Sequence, residues 1–249
     1  MYLKVRGLVT RVTTYNDTDA LLTVLTADQG KLTVKARGLR RKNSPLTAAC
    51  QLLSYAEFTL FEYRGMYTIN EAQAVELFTG LRKDLLKLSL ATYFAQVCDT
   101  ISQEDLVNPQ LLSLVLNCLY GLDKLNLSLV TVKAVFELRA ACIAGYTPDL
   151  RACYRCGCNT PDRFNISEGR LECAKCKDLS CQTIRLPITQ SVLDTMRYII
   201  SCSDKRILSF QISETTAAQL SDVTEAYLTR QLEQSFSTLD FYKSLYILN

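Results

Sequence analysis

Hydrophobic periodicity changes near residue 78 of this chain, and that change bounds the fold more tightly than any other feature. Up to that point apolar side chains recur at every second position; from Phe78 they recur every 3.6 residues. A period of two places alternate residues on opposite faces of a strand, whereas 3.6 draws a stripe along a helix. A strand-rich segment followed by a helical one predicts a multi-domain α+β protein.

In the first segment Tyr2–Thr14 sets Leu3 and Val5 on one face and Lys4 and Arg6 on the other, with Gly7 as the expected bulge. Ala20–Thr26 and Lys31–Arg37 flank Ala27-Asp28-Gln29-Gly30, a short turn ending in Gly, which predicts a hairpin. Leu52–Tyr63 alternates again, and Tyr63-Arg64-Gly65 turns it back into Met66–Ala72. Five strands in so short a span predict a small barrel, and a five-stranded OB-fold closes one without long connections.

Beyond Phe78, Leu81, Leu85, Leu88, Ala91, Phe94 and Ala95 share a helical stripe that continues to Cys98. Pro109 opens a second helix, with Gly121 as its expected end, and a third runs from about Leu127 to Ala144 before Gly145 and Pro148. Residues 149–183 break the pattern with six cysteines and many turn residues. Helix returns over Thr189–Ser201 and again from near Ser213 through Phe236, and the tail FYKSLYIL reads as a docked segment. The expected organisation is an N-terminal OB-fold nucleic-acid-binding domain over 1–78, a helical domain over 79–148 and 184–249, and a four-cysteine zinc module inserted at 149–183.

Within that insert Cys153-x-x-Cys156 and Cys173-x-x-Cys176 are sixteen residues apart. Two such pairs at this spacing form a two-knuckle zinc pattern: each tight turn offers two thiolates, and four complete a closed tetrahedron without an open position for water. One structural Zn2+ is the expectation. Cys158 and Cys181 are spare and either could substitute as a ligand; a redox pair or an iron–sulfur site would use the same residue type. No C-x-E precedes a C-x-x-C, so a deaminase-type catalytic zinc finds no general acid. The remaining cysteines, Cys50, Cys98, Cys118, Cys142 and Cys202, lie in apolar segments and read as reduced, buried thiols.

Histidine is absent, which removes Ser-His-Asp and Cys-His catalysis and every His-ligated metal site. No Walker A or G-x-S-x-G motif is present either, so the expectation is a protein that is not an enzyme, with no catalytic residues and no small-molecule substrate. Hydrophobic residues make up 48% and charged residues 21%, as in a globular domain. No apolar run reaches a membrane-spanning length, and the opening MYLKVRGLV lacks the apolar core of a signal peptide. No membrane association is expected, and a cytoplasmic location is.

The net charge of +3 is unevenly placed: residues 1–42 hold nine Lys/Arg against three Asp, whereas 81–249 hold eighteen of each sign. Lys31, Lys35, Arg37, Arg40, Arg41 and Lys42 fall within twelve residues. On a strand Lys31, Thr33, Lys35 and Arg37 share one face while Leu32, Val34 and Ala36 point inward. Such a row suits a phosphate backbone, with Tyr2, Tyr15 and Tyr55 as candidate stacking surfaces. The same row would also serve as a solvated face or a protected edge strand. Arg151, Arg155, Arg163, Arg170, Lys175 and Lys177, beside the cysteines, form a second basic group.

The run GLVTRVTTYNDTDALLTVLTADQGKLTVKARGLRRKNS, the segment FELRAACIAGYTPDL followed by CYRC and CAKC, and the closing FYKSLYIL together resemble the RecO family of bacterial recombination mediators, over nearly the whole chain. Asp17 stands where that family commonly has an acidic residue two after the Tyr. The resemblance implies an OB domain, a helical domain and a zinc module. It also implies binding and annealing of single- and double-stranded DNA in recombinational DNA repair, action with RecR, and binding of the C-terminal tail of single-stranded DNA-binding protein so that recombinase loads. The implied setting is bacterial and nucleoid-associated. A different class of function fits the cysteines alone: a zinc-ribbon protein-interaction adaptor without direct DNA binding.

Overall fold

A computed structural model describes residues 2–104, 106–176 and 183–247. Lys177 and Cys181 lie outside the described residues. The chain divides into two compact units, Met1–Leu125 with Phe236–Asn249, and Asn126–Ser235. The strands are β1 (Tyr2–Thr14), β2 (Ala20–Thr26), β3 (Lys31–Ala36), β4 (Tyr55–Tyr63), β5 (Met66–Glu76), β6 (Asp149–Cys153), β7 (Arg163–Asn165), β8 (Arg170–Glu172) and β9 (Arg185–Pro187). The helices are α1 (Leu85–Ile101), α2 (Pro109–Asp123), α3 (Leu129–Ile143), α4 (Gln190–Ser201), α5 (Glu214–Leu232) and α6 (Ser237–Ile247).

In the first unit β1 to β5 close a barrel in the order β1-β2-β3-β5-β4, with β4 pairing back onto β1. The β3–β5 pair is parallel and the others antiparallel. This is the OB-fold that the alternation predicts. Its inward positions are Val5, Val9, Leu22, Val24, Leu32, Val34, Phe58, Leu60 and Ile69. Full burial of each such side chain contributes about 1.5–3 kcal/mol, so the alternating pattern is itself the main source of the barrel's stability. Gly7 is not the bulge; the register shifts between Val9 and Arg11 instead. Gly7 is required for another reason: a Cβ there would stand 2.5 Å from Val24 Cγ1 and 2.8 Å from the Leu25 carbonyl. β1 and β2 approach too closely at that point for any side chain.

Helix α1 starts at an Asp84 cap whose carboxylate accepts from the amides of Leu86 (2.9 Å) and Lys87 (3.2 Å). Its burial is wider than one stripe. Leu90, Tyr93, Phe94, Val97 and Cys98 are all buried, while Leu85 at the start is 57% exposed and falls off the predicted stripe. A helix buried on most sides must be covered from several directions, and β1, α2 and α6 cover this one. Phe236 sets its ring edge-on against Tyr93 at 5.5 Å. Helix α2 continues through the buried Gly121 to Asp123 rather than ending there. A glycine ends a helix by taking a positive φ, and Gly121 does not.

The second unit packs α3 along α5, with α4 beside both and a small sheet in the order β6-β8-β7-β9. Helix α5 stops at Leu232, short of Phe236, because Glu233 takes a left-handed φ of 51° and reverses the chain before α6. Helix α3 is buried nearly all round although it carries Lys133 and Glu137. The Lys133 ammonium reaches Glu137 Oε1 at 2.9 Å, Glu225 Oε2 at 2.8 Å and Ser221 Oγ at 3.1 Å. Thr224 Oγ1 donates to Glu137 Oε2 at 2.9 Å. Burial pulls the Lys133 ammonium pKa down, but the two carboxylates outweigh it and the net shift is upward. Burial raises the Glu137 carboxyl, against the pull of Lys133. No helix among the described residues is long and apolar enough to cross a membrane.

Candidate metal centre and nucleic-acid interface

In the second unit β6 delivers Cys153 and the following turn delivers Cys156. The turn is closed by the Gly157 amide donating to the Cys153 carbonyl at 2.9 Å, with Gly157 at a φ of 70°. On the other side β8 ends at Glu172, Cys173 follows, and the Cys176 amide donates to the Cys173 carbonyl at 3.0 Å. The four Sγ atoms lie within 4.8 Å of one another, and Cys156 and Cys173 are 3.7 Å apart. Sulfurs about 2.3 Å from a tetrahedral ion stand about 3.8 Å apart, so this donor set fits a closed four-thiolate metal site. Burial pushes the Cys153 thiol up, but the amides of Cys156, Arg155 and Cys173 outweigh it and hold the thiol at about 6. Cys176, sharing its proton with Cys156 and Cys173, is pushed up to about 12. All four could be thiolates at this separation only with a cation among them, and a divalent ion would remove the remaining protons.

Of the two spare cysteines, Cys158 turns away from the cluster, its Sγ meeting the Thr160 amide at 3.4 Å and hydroxyl at 3.3 Å. Beneath the knuckle Glu172 is fully buried, accepting from Asn165 Nδ2 and Arg185 Nε, each at 2.7 Å. That ion pair anchors the strand that presents Cys173. Among the nearby basic residues, Arg151 pairs with Asp149 at 2.7 Å, and Arg155 and Arg170 flank the Tyr154 ring at 5.3 and 5.9 Å. Arg163 has a buried Nε without a partner among the described residues, and Lys175 is exposed.

In the first unit the six basic residues of the 31–42 segment divide in two. Lys31 donates to the Asp99 carbonyl at 3.0 Å, and Lys35 pairs with Asp19 at 3.2 Å while its ammonium sits 4.4 Å over the Tyr15 ring. Both ammonium groups are committed inside the protein. Arg37, Arg40, Arg41 and Lys42 are exposed. No ion pair engages any of the four among the described residues. Arg40 is steadied by backbone: its guanidinium donates to the Asn16 carbonyl at 2.8 Å and its amide to the Thr18 carbonyl at 3.0 Å. Asp19 completes this buckle between the 15–19 turn and the 37–42 loop. The Gly38 amide at 2.9 Å, with Lys35, holds its carboxyl well below the usual range despite some desolvation. Asp19 is thus the acid that fixes the basic loop, whereas Asp17 is exposed.

A cleft of about 600 Å³ opens beside Arg37 along β1, β4 and β5, and Tyr2, Phe61, Tyr63, Arg64 and Met66 also line it. Tyr2 lies directly opposite Phe61 across the β1–β4 ladder, their ring centroids 5.4 Å apart. Of the tyrosines named from sequence, Tyr2 stands in this cleft, Tyr15 lies under Lys35, and Tyr55 is half-buried at the start of β4. Phe61, Tyr63 and Met66 were not singled out in the sequence. The signal was there: Phe58 and Leu60 point inward on β4, which puts Phe61 outward in register with Tyr63 at its end.

The family model described as Recombination protein O N terminal matches residues 1–78, and that described as Recombination protein O C terminal matches residues 82–240. The chain is 32% identical over 246 residues to the DNA repair protein RecO of Acetivibrio thermocellus, covering 98% of this chain and 97% of the relative. It is 29% identical over 248 residues to the DNA repair protein RecO of Alkaliphilus metalliredigens, covering 98% and 100%. With the protein of the same name from Symbiobacterium thermophilum it shares 29% identity over 246 residues, covering 97% and 96%.

Proposed function

The chain belongs to the recombination protein O family of DNA repair proteins, and from that premise we propose that it binds single- and double-stranded DNA through the basic end of its barrel. In this reading it anneals complementary strands. With RecR, and by binding the C-terminal tail of single-stranded DNA-binding protein, it helps recombinase load on coated strands. Residues 1–78 are the nucleic-acid-binding domain, the helical segments over 79–148 and 184–249 serve partners, and 149–183 is the zinc module. The protein is not an enzyme and works in the bacterial cytoplasm at the nucleoid. Zn2+ held by Cys153, Cys156, Cys173 and Cys176 is structural: four thiolates leave no position for a reacting molecule.

The observation that carries the DNA reading is the set Arg37, Arg40, Arg41 and Lys42, exposed and unopposed on a loop that Asp19 and Gly38 hold in place. Lys31 and Lys35 shape the strand and meet phosphate less directly. Single-strand binding releases about 0.7 counterion per phosphate neutralised, so three contacts give a log–log salt slope of about −2. Replacing Arg37, Arg40 and Arg41 together by Ala should flatten that slope and weaken single- and double-strand binding alike, because phosphate contacts carry no sequence information. The measurement is a salt titration of affinity, with circular dichroism as the folding control. A folded triple variant with unchanged slope and affinity would leave the loop as a solvated face and favour the adaptor reading.

A further inference from the structure

We propose that the cleft beside Arg37 is a base-stacking subsite, in which Tyr2, Phe61 and Tyr63 hold unpaired nucleobases and thereby favour single strands over duplex. This rests on the reading of the barrel as the DNA-binding part. It adds a second kind of contact, to bases rather than phosphates, on residues outside the basic segment.

Three observations carry it. The first is the exposure of large rings where the barrel could have buried them. Tyr2 is 64% exposed, Tyr63 61% and the adjoining Met66 57%, and all three line the cleft together with Phe61. An apolar patch of this kind on a barrel already possessing a full core marks a contact surface. The second is charge. Arg37 and Arg64 are the lining residues that carry fixed charge, both positive, and among the described residues no carboxylate lines the cleft. An uncharged apolar occupant would gain nothing from two guanidinium groups, whereas an anionic ligand with flat apolar rings suits both the guanidinium groups and the aromatic rings. Nucleotides are that chemistry: the base offers a π-face to the ring and the phosphate meets arginine.

The third is continuity. Arg37 belongs both to the cleft and to the start of the basic loop that runs on to Lys42. A strand whose phosphates follow residues 37–42 brings its bases to the rings without leaving the surface. In duplex DNA the base faces are stacked within the helix and cannot reach the rings, so this subsite contributes to single-strand affinity alone. An acidic peptide bearing an aromatic side chain would share the same charges, and the test separates it.

The chain contains no tryptophan, so Tyr63→Trp creates a unique reporter at an exposed position. Quenching of its fluorescence by an oligothymidine, with little quenching by an abasic strand of equal length and charge or by duplex, is the expected result. In parallel, the Tyr2→Ala/Tyr63→Ala variant should lose at least about fivefold in affinity for the oligothymidine for each stacked base released. Its salt slope and its affinity for duplex should stay as in the wild type, and its thermal melting should be unchanged because both side chains are largely exposed. Equal quenching by the abasic strand, or wild-type single-strand affinity in the folded double variant, would overturn the proposal and leave an acidic peptide as the cleft's better-fitting occupant. The two readings fail separately. If the Arg37, Arg40 and Arg41 variant loses binding while the tyrosine variant does not, the barrel binds DNA and the cleft takes no base. If neither variant loses binding, the barrel reading fails and this one with it.

Discussion

Replacing Lys133 by Met should be among the most destabilising single changes in the second unit. The Lys133 and Glu137 side chains are 4% and 0% exposed, and Glu225 is 22% exposed, so one ammonium stands between two carboxylates in a largely dry space. Methionine matches the length and removes the charge. Two carboxylates then face each other without the cation that made their burial tolerable. Removing one partner of a buried pair costs about 3–5 kcal/mol, because the charge left behind has lost its water and gained nothing. For a chain of this size each kcal/mol moves the melting temperature by about 2–4 °C, which gives a drop of about 6–20 °C.

The variant should also acquire a pH dependence. Without Lys133, burial and Glu225 raise the Glu137 carboxyl further in the folded state, while in the unfolded state it titrates near its ordinary value of about 4.3. The folded state then binds a proton that the unfolded state has released, and stability falls as pH rises through the window between the two values. The deficit relative to wild type should therefore be larger at pH 8 than at pH 5. Replacing the whole set with Lys133→Met, Glu137→Leu and Glu225→Gln should recover most of the loss, since a buried ion cluster exchanged for apolar groups of similar volume is often neutral or better. The assay is urea unfolding at both pH values with hydrogen exchange of the α3 amides. A Lys133→Met protein within about 1 kcal/mol of wild type, or single effects that merely add up in the triple variant, would refute the account.

Cys173→Ser should lower zinc content and selectively destabilise the second unit, whereas Cys158→Ser should retain one zinc per chain, both read by elemental analysis of protein purified under reducing conditions; absence of zinc from the wild type would overturn the metal assignment. Gly7→Ala drives a methyl into the Val24 side chain and the Leu25 carbonyl and should cost about 1–3 kcal/mol by overpacking, read as a lower melting temperature of the barrel.

The barrel was legible because it is stabilised by the same alternation that a sequence displays. Leu32, Val34 and Ala36 point inward as the period requires, and the Ala27–Gly30 turn joins the hairpin that its glycine predicts. Family membership was legible as well, from the order of segments rather than from any one motif. What stayed hidden depends on contacts between distant residues. Gly7 reads as a bulge from its neighbours alone, and only the approach of β2 shows why a side chain is forbidden there. A single stripe is too narrow for α1 because α6, more than a hundred residues later, covers a further side. Lys133 sits mid-helix like any surface lysine until α5 brings Glu225 to it. Within the basic segment spacing treated six cations alike, but Asp19 and the Asp99 carbonyl claim two of them.

The first compact unit is assembled from two stretches of chain, with α6 returning to cover α1 after the whole of Asn126–Ser235 has intervened. During synthesis those stretches emerge at different times. At about 5–20 residues per second, the intervening residues occupy the ribosome for about 6–22 seconds. Through that interval the barrel is complete, but the Tyr93 side of α1 waits without Phe236, exposing to solvent an apolar surface that finishes folding only when α6 has been made. Any factor that shields nascent apolar segments has its natural window here, and a transcript broken after Ser235 would encode a barrel whose supporting helix never gains its α6 cover.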